Sequence, residues 1–241
     1  MKAKILGSAS GMPTYGKHHA ALWVCANQQN ILFDCGEGTA EKLMTHKLDR
    51  DCLDSICISH FHPDHLSGIF MAIQMLYLQK RTSTLKIFLP ESIQNFIAMM
   101  EYMYLFEERL TFDIEFYDIK ELKQFHHFII PIPSDHLDSY KEITENRANT
   151  CRAYSFKINS GDRNLLYTSD VSNLDSIIDH IGNVSTLIVD ALHPPAQDII
   201  SLPKYTSAKI ILNHGISDEL NKILEAEPND QFEYAREDKE L

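Results

Sequence analysis

Between His60 and His65 the chain places three imidazoles and a carboxylate in six consecutive positions, as Ser59-His60-Phe61-His62-Pro63-Asp64-His65. Histidine nitrogens and carboxylate oxygens are the ligands that borderline divalent metals such as Zn²⁺ take, usually about four to six per ion. In an extended segment side chains two apart project to the same side, so His60 and His62 can share one ion. Asp64 and His65 fall at the start of a helix and face another way. The arrangement therefore suggests two neighbouring metal sites, and the segment supplies too few ligands for both. The remaining ligands must come from elsewhere in the chain.

The elements around the motif follow from hydrophobic periodicity. Residues 54–59 are short, apolar and β-branched, as a buried strand should be, and residues 66–79 are apolar enough for a core helix. The motif thus sits at a strand-to-helix turn. Upstream, strands are expected at residues 3–6, 20–25 and 30–34, with residues 26–29 as a connecting turn and a helix through about residue 47. The segment Asp34-Cys35-Gly36-Glu37-Gly38-Thr39 has two glycines that permit tight turns at a strand end and leave Asp34 close to the metal-bearing edge. Two readings of Asp34 stand: it holds a ligand histidine by its other ring nitrogen, or it caps a turn.

Downstream, the pattern predicts a strand over 85–89, a helix over 91–106, and strands over 112–117 and 125–133, the last followed by Ser134-Asp135-His136. Residues 138–150 are charged and polar and read as a loop. Further strands are expected at 153–158, at 164–170 ending in Asp170, at 186–190 continuing into Ala191-Leu192-His193-Pro194-Pro195, and at 209–213 before His214. The tail beyond residue 218 reads as a short helix with a frayed end. His126 and His127 read as structural, and His18, His19, His46 and His180 as solvated, with a loop bordering the pocket as the alternative for His18 and His19.

The motif His-x-His-x-Asp-His is the signature of the metallo-β-lactamase superfamily, which the chain resembles from end to end. The opening Leu6-Gly7-Ser8-Ala9-Ser10-Gly11-Met12-Pro13-Thr14 and the segment Phe33-Asp34-Cys35-Gly36-Glu37-Gly38-Thr39, taken with the motif, resemble the ribonuclease Z branch. That resemblance implies an α/β (α+β) fold of the four-layer αβ/βα sandwich type, as a single domain over 1–241. It implies His60, His62 and His136 on one ion, Asp64, His65 and His214 on the other, and Asp170 as the carboxylate between them. Two such ions can share a water and lower its pKa toward neutrality. Asp64 would orient that water or accept its proton.

Two departures from ribonuclease Z refine the expectation. The interval from His136 to Asp170 is too short for the arm that grips tRNA, and Asp190-x-x-His193-Pro194-Pro195 stands where ribonuclease Z has His-Glu-Ala-Thr. The latter resembles phosphodiesterases associated with carbon-phosphorus lyase, in which His193 would donate a proton to the leaving oxygen; a merely structural His193 is the alternative. The implied activity is a binuclear metal-dependent phosphodiesterase acting on a small or cyclic phosphodiester or an RNA 3′ end. Alternatives are tRNA 3′ processing and lactone or thioester hydrolysis. The implied cofactors are two divalent ions, Zn²⁺ with Mn²⁺ or Fe²⁺ as options, and the implied assembly is a homodimer.

Composition bounds these expectations. The chain has 241 residues, 44% of them hydrophobic and 23% charged, as in ordinary soluble globular proteins. Its 34 acidic against 22 basic side chains give a net charge of -12, which argues against unspecific nucleic-acid binding. The 5 cysteines lack Cys-x-x-Cys spacing and read as reduced thiols. With no apolar run approaching the ~20 residues of a membrane span and no signal-like N-terminus, a cytoplasmic location is expected.

Overall fold

The computed structural model describes residues 1–48, 50–161 and 163–241. The chain divides into two compact units, Met1–Leu122 with Glu237–Leu241, and Lys123–Arg236.

The first unit opens with β1 (Lys2–Gly7), β2 (Ala21–Ala26) and β3 (Gln29–Phe33). Asn27 and Gln28 turn the β2–β3 hairpin with φ of 50° and 64°, the left-handed pair that matches strand twist in a two-residue loop. Then come α1 (Thr39–Thr45), β4 (Ser55–Cys57), α2 (Pro63–Leu66), α3 (Gly68–Leu78), β5 (Leu85–Leu89), α4 (Ile93–Tyr102) and β6 (Ile114–Asp118). The six strands pair in chain order; β1 to β3 are antiparallel and β3 to β6 parallel. Leu32, Ile56, Ile58, Ile87 and Leu89 pack with Ile69, Ala72, Ile73 and Leu76 of α3 and with Phe96 and Met100 of α4. Side chains of this kind each contribute about 1.5–3 kcal/mol when fully buried.

Arg81 lies fully buried just after α3. Its guanidinium donates to the carbonyls of Leu53 at 2.6 Å, Thr84 at 2.9 Å and Ser83 at 2.7 Å, and also to Arg50. A buried cation needs such compensation. It ties the approach to β4, and so the start of the metal-binding motif, to the approach to β5.

A short helix, α5 (Leu122–Phe125), leads into the second unit, which contains β7 (Ile129–Ser134), α6 (Lys141–Thr144), β8 (Ala153–Ser160), β9 (Arg163–Tyr167), β10 (Thr186–Asp190), α7 (Ala196–Ser201), β11 (Lys209–Asn213), α8 (Asp218–Ala226) and β12 (Phe232–Tyr234). The plan of the first sheet recurs: β7 to β9 are antiparallel and β9 to β12 parallel. Leu166, Leu187, Val189, Ile210 and Leu212 form its core with Ile199, Leu220 and Leu224.

Several expectations need correction. The helix expected over 66–79 is broken: Ser67 separates α2 from α3, and Gly68 begins the new helix. A Cβ at Gly68 would stand 1.9 Å from the Gly36 carbonyl oxygen, so close approach to the Asp34 loop explains this glycine. The strand expected from 125 begins only at Ile129, because Phe125 ends α5. The expected loop over 138–150 contains the helical turn α6. The tail does not fray: β12 pairs with β11, and Glu240 bridges to Lys4 within the first unit. His19 is buried and His18 and His46 are largely covered, where solvated rings were expected.

Candidate metal centre

In the first unit the functional residues sit at the carboxyl ends of β3 and β4, the edge at which parallel sheets bind ligands. After β4 the chain runs through Ile58 and Ser59 into the motif, and Pro63 starts α2, where its fixed φ suits a first helical turn and its missing N–H costs nothing. His62 keeps an extended backbone (φ -68°, ψ 147°) while Asp64 and His65 are helical, which separates the two kinds of ligand as their spacing predicts. The His60 ring centroid lies 4.7 Å from that of His62 and 4.1 Å from that of His65. Asp64 Oδ2 stands 3.5 Å from His65 Nε2.

Asp34 organises this cluster from behind. Its Oδ2 lies 2.9 Å from His65 Nδ1, and its Oδ1 accepts the Ser59 N–H at 2.8 Å. Ser59 Oγ lies 3.0 Å from His60 Nδ1. With Nδ1 engaged on both rings, Nε2 is the nitrogen each can offer to an ion, the arrangement by which an outer carboxylate fixes a ligand's tautomer. Asp34 itself has φ of 59°. Left-handed backbone at a buried non-glycine residue is held only where the surroundings over-determine it. Cys35 and Cys57 lie near the carboxylate, and burial pushes both thiols up.

The second unit contributes residues from four strand ends. His136 follows β7, Asp170 follows β9, Asp190 ends β10 with His193 three residues on, and His214 follows β11. Parallel register pairs Asp190 with Asn213, which puts His214 one step beyond the Asp190 carboxylate. Asp170 turns one oxygen toward each of two histidines: Oδ1 lies 3.3 Å from His214 Nε2 and Oδ2 3.5 Å from His136 Nε2. Asp190 Oδ2 lies 2.8 Å from His193 Nδ1 and accepts the Val171 N–H at 3.2 Å; its Oδ1 accepts the N–H groups of Leu192 and His193 at 2.9 and 3.2 Å. Here too the backbone is left-handed at two non-glycine residues, Ser169 (φ 51°) and His214 (φ 63°).

Each unit thus gathers its own share of the expected residues: Asp34, His60, His62, Asp64 and His65 in the first, His136, Asp170, His193 and His214 in the second. Within the second unit one ligand atom each from Asp170, Asp190, His193 and His214 lies within 4.8 Å of the others. A donor set of imidazole nitrogens and carboxylate oxygens, without thiolate, fits a divalent ion such as Zn²⁺, Mn²⁺ or Fe²⁺. Sequence reasoning did not assign a role to Asp190, although its spacing to His193 carries the signal. His19, for which the solvated reading was favoured over one at the pocket border, lines a pocket of about 290 Å³ with Gly11, Glu37, Pro63, Asp64 and Ser67.

The chain is 31% identical over 122 residues to ribonuclease Z of Archaeoglobus fulgidus, a match that takes in 50% of this chain and 38% of that protein. It therefore spans under half the length of the curated relatives it matches. The metallo-β-lactamase fold protein YhfI from Bacillus subtilis superposes with a TM-score of 0.74 at 18% identity, covering 100% of this chain and 98% of that one. A diphosphatase from the PhnP family superposes at 0.71 with 17% identity, covering 100% and 96%. These likenesses establish the metallo-β-lactamase fold, with a ribonuclease Z-like sequence. The family described as Anti-Pycsar protein Apyc1 matches residues 1–237, and the chain belongs to that family.

Proposed function

We propose that the two units work as one domain and that this chain is a binuclear metal-dependent phosphodiesterase of the ribonuclease Z-like group. In this reading His60, His62 and His136 would hold one ion and Asp64, His65 and His214 the other, with Asp170 serving both. Two divalent ions, when bound, supply an activated water and offset charge that builds on the phosphoryl oxygens. Asp64 orients the attacking water and takes up its proton. His193, held through Nδ1 by Asp190, presents Nε2 to the leaving oxygen and donates a proton there. Fixing one nitrogen on a carboxylate keeps the proton-donating nitrogen in place without consuming it.

The observation that carries the reading is the Asp190–His193 pair beside Asp170, with Nδ1 of His193 3.9 Å from Asp170 Oδ2. A small or cyclic phosphodiester is the favoured substrate, because the net charge of -12 repels polyanions and the interval from His136 to Asp170 carries no long arm. A second reading, tRNA 3′-end processing, draws support from the ribonuclease Z relatives. Family membership extends an anti-Pycsar role to the proposal. Zn²⁺ as the ion, a homodimeric assembly and a cytoplasmic location belong to the same proposal; among the described residues no helix is long and apolar enough to cross a membrane.

The test is hydrolysis of bis(p-nitrophenyl) phosphate and a 3′,5′-cyclic nucleotide beside a lactone, a thioester and a precursor tRNA, for wild type and His193→Ala. Phosphodiester turnover that collapses in the variant while metal content holds is expected. Turnover confined to the lactone or thioester would overturn the substrate class.

A further inference from the structure

Glu237 lies far in sequence from every residue assigned a role above, yet it is one of the most heavily bonded carboxylates in the first unit. Its side chain is 11% exposed. Oε1 accepts the Ser8 N–H at 3.1 Å, the Ser8 hydroxyl at 3.2 Å and the His18 N–H at 2.9 Å; Oε2 lies 3.1 Å from His18 Nδ1 and 3.2 Å from Lys42 Nζ. Ser8 and His18 are the two ends of an excursion that Ala9 N–H closes on the His18 carbonyl at 2.9 Å. Residues 11–17 within it are exposed, so little else in the unit covers the loop.

The loop meets the metal-binding motif at Gly11, where a Cβ would be in ordinary van der Waals contact with Asp64 Oδ2 at 3.6 Å, and His19, immediately after the neck, lines the same pocket with Asp64 and Glu37. Gly36 is where the packing is tight: a Cβ there would fall 2.6 Å from the His19 Cβ and 2.1 Å from the Asp64 carbonyl oxygen, which fixes His19 against the motif. Loop 8–18 therefore borders the pocket beside Asp64 through Gly11, and among the described residues its polar ties to the rest of the unit gather at its neck.

We infer that Glu237 is a positioning residue that staples the neck of loop 8–18, and that this loop is the lip against which the non-reacting part of the substrate is placed beside Asp64. The substrate half of this inference rests on the phosphodiesterase reading; the staple itself does not. Lys42 and Asp238, 2.7 Å apart, set the staple in a wider ion-pair network that also takes in His46, 2.6 Å from Asp238. Contacts to the non-reacting part of a substrate are made alike in the ground and transition states, so loosening the lip that makes them raises KM.

Two readouts separate the parts. Limited trypsin digestion, with the 1–17 fragment followed by mass spectrometry, reports opening of the loop at Lys17 and needs neither metal nor substrate. Steady-state kinetics on whichever ester the wild type hydrolyses reports placement. Glu237→Ala is expected to speed cleavage after Lys17 and to lower kcat/KM roughly tenfold or more through KM, with metal content unchanged. Glu237→Gln, which keeps one acceptor oxygen for Ser8 and His18, is expected to recover part of both effects. Wild-type cleavage at Lys17 and wild-type KM in a folded Glu237→Ala protein would overturn the inference, as would a loss confined to kcat. If Glu237→Ala does not fold, Glu237→Gln decides alone by the same two readouts. A wild type inert toward every phosphodiester sinks the phosphodiesterase reading and the lip's role, while the Lys17 readout still judges the staple.

Discussion

The two candidate clusters, one in each unit, are built in opposite ways. In the first unit three imidazoles and a carboxylate come from six neighbouring positions, and each is aimed by local backbone geometry with Asp34 behind them. In the second, His136, Asp170, His193 and His214 come from four strand ends and converge because β7, β9, β10 and β11 stop at the same edge. The first cluster is a property of a segment. The second is a property of sheet register, and its residues meet around two carboxylates. The contrast predicts that the second cluster depends more on single residues.

The largest effect should follow from Asp170→Ala, since that carboxylate faces both His136 and His214. Metal content measured by mass spectrometry should drop and turnover should fall below detection, whereas His62→Ala, at the edge of the first cluster, should leave part of the metal bound. Equal metal loss in the two variants would erase the contrast. Next comes His193→Ala, expected to cut kcat about 10²- to 10⁴-fold with metal retained, the range for a general acid.

Asp34→Ala and Asp190→Ala form a matched pair, one behind each cluster. Removing a carboxylate behind a ligand histidine typically costs about 10- to 100-fold in metal affinity or activity. Asp34→Ala is expected to act on metal affinity, through His65. Asp190→Ala is expected to act on kcat, through the orientation of His193. Metal titration and kinetics on both variants would show whether the effects divide this way.

The smallest effect concerns pH and the ion-pair network in the first unit. Burial pulls the Glu237 carboxyl upward, but hydrogen bonds from His18 and Lys42 outweigh it and hold it below the usual range; the same balance, with Lys42 and His46 as partners, lowers Asp238. Burial likewise pulls the Lys42 ammonium down, and the hydrogen bonds it donates to Asp238 and Glu237 outweigh it, so its pKa is raised. A depressed carboxylate stabilises the fold above its unfolded pKa, and that contribution is lost as pH falls through the folded value. Thermal melts should therefore show an acid-side loss below about pH 4 that Glu237→Ala flattens. The raised Lys42 adds stability that persists below its unfolded pKa and disappears only as alkaline pH passes the folded one.

What was legible in the sequence follows the same division. The motif at 60–65, and strands such as β5 and β10 whose bounds match their apolar runs, declare themselves locally, because a strand in a parallel sheet reads as a continuous apolar run. His136, Asp170, His193 and His214 carry no local signal beyond standing after a strand; the roles proposed for them came through resemblance. The Ser67 break between α2 and α3 and the three-residue β12 escaped because both depend on packing against distant chain. The Glu237 staple escaped for the plainest reason: its partner Ser8 is 229 positions away, and no periodicity reports a contact of that range.

The most direct measurement of the central claim is metal content and bis(p-nitrophenyl) phosphate hydrolysis on the same preparation, before chelation, after chelation and after restoring Zn²⁺ or Mn²⁺. The account predicts stoichiometric metal on purification, loss of turnover on its removal and recovery on its return. Turnover that survives removal of the metal would contradict it.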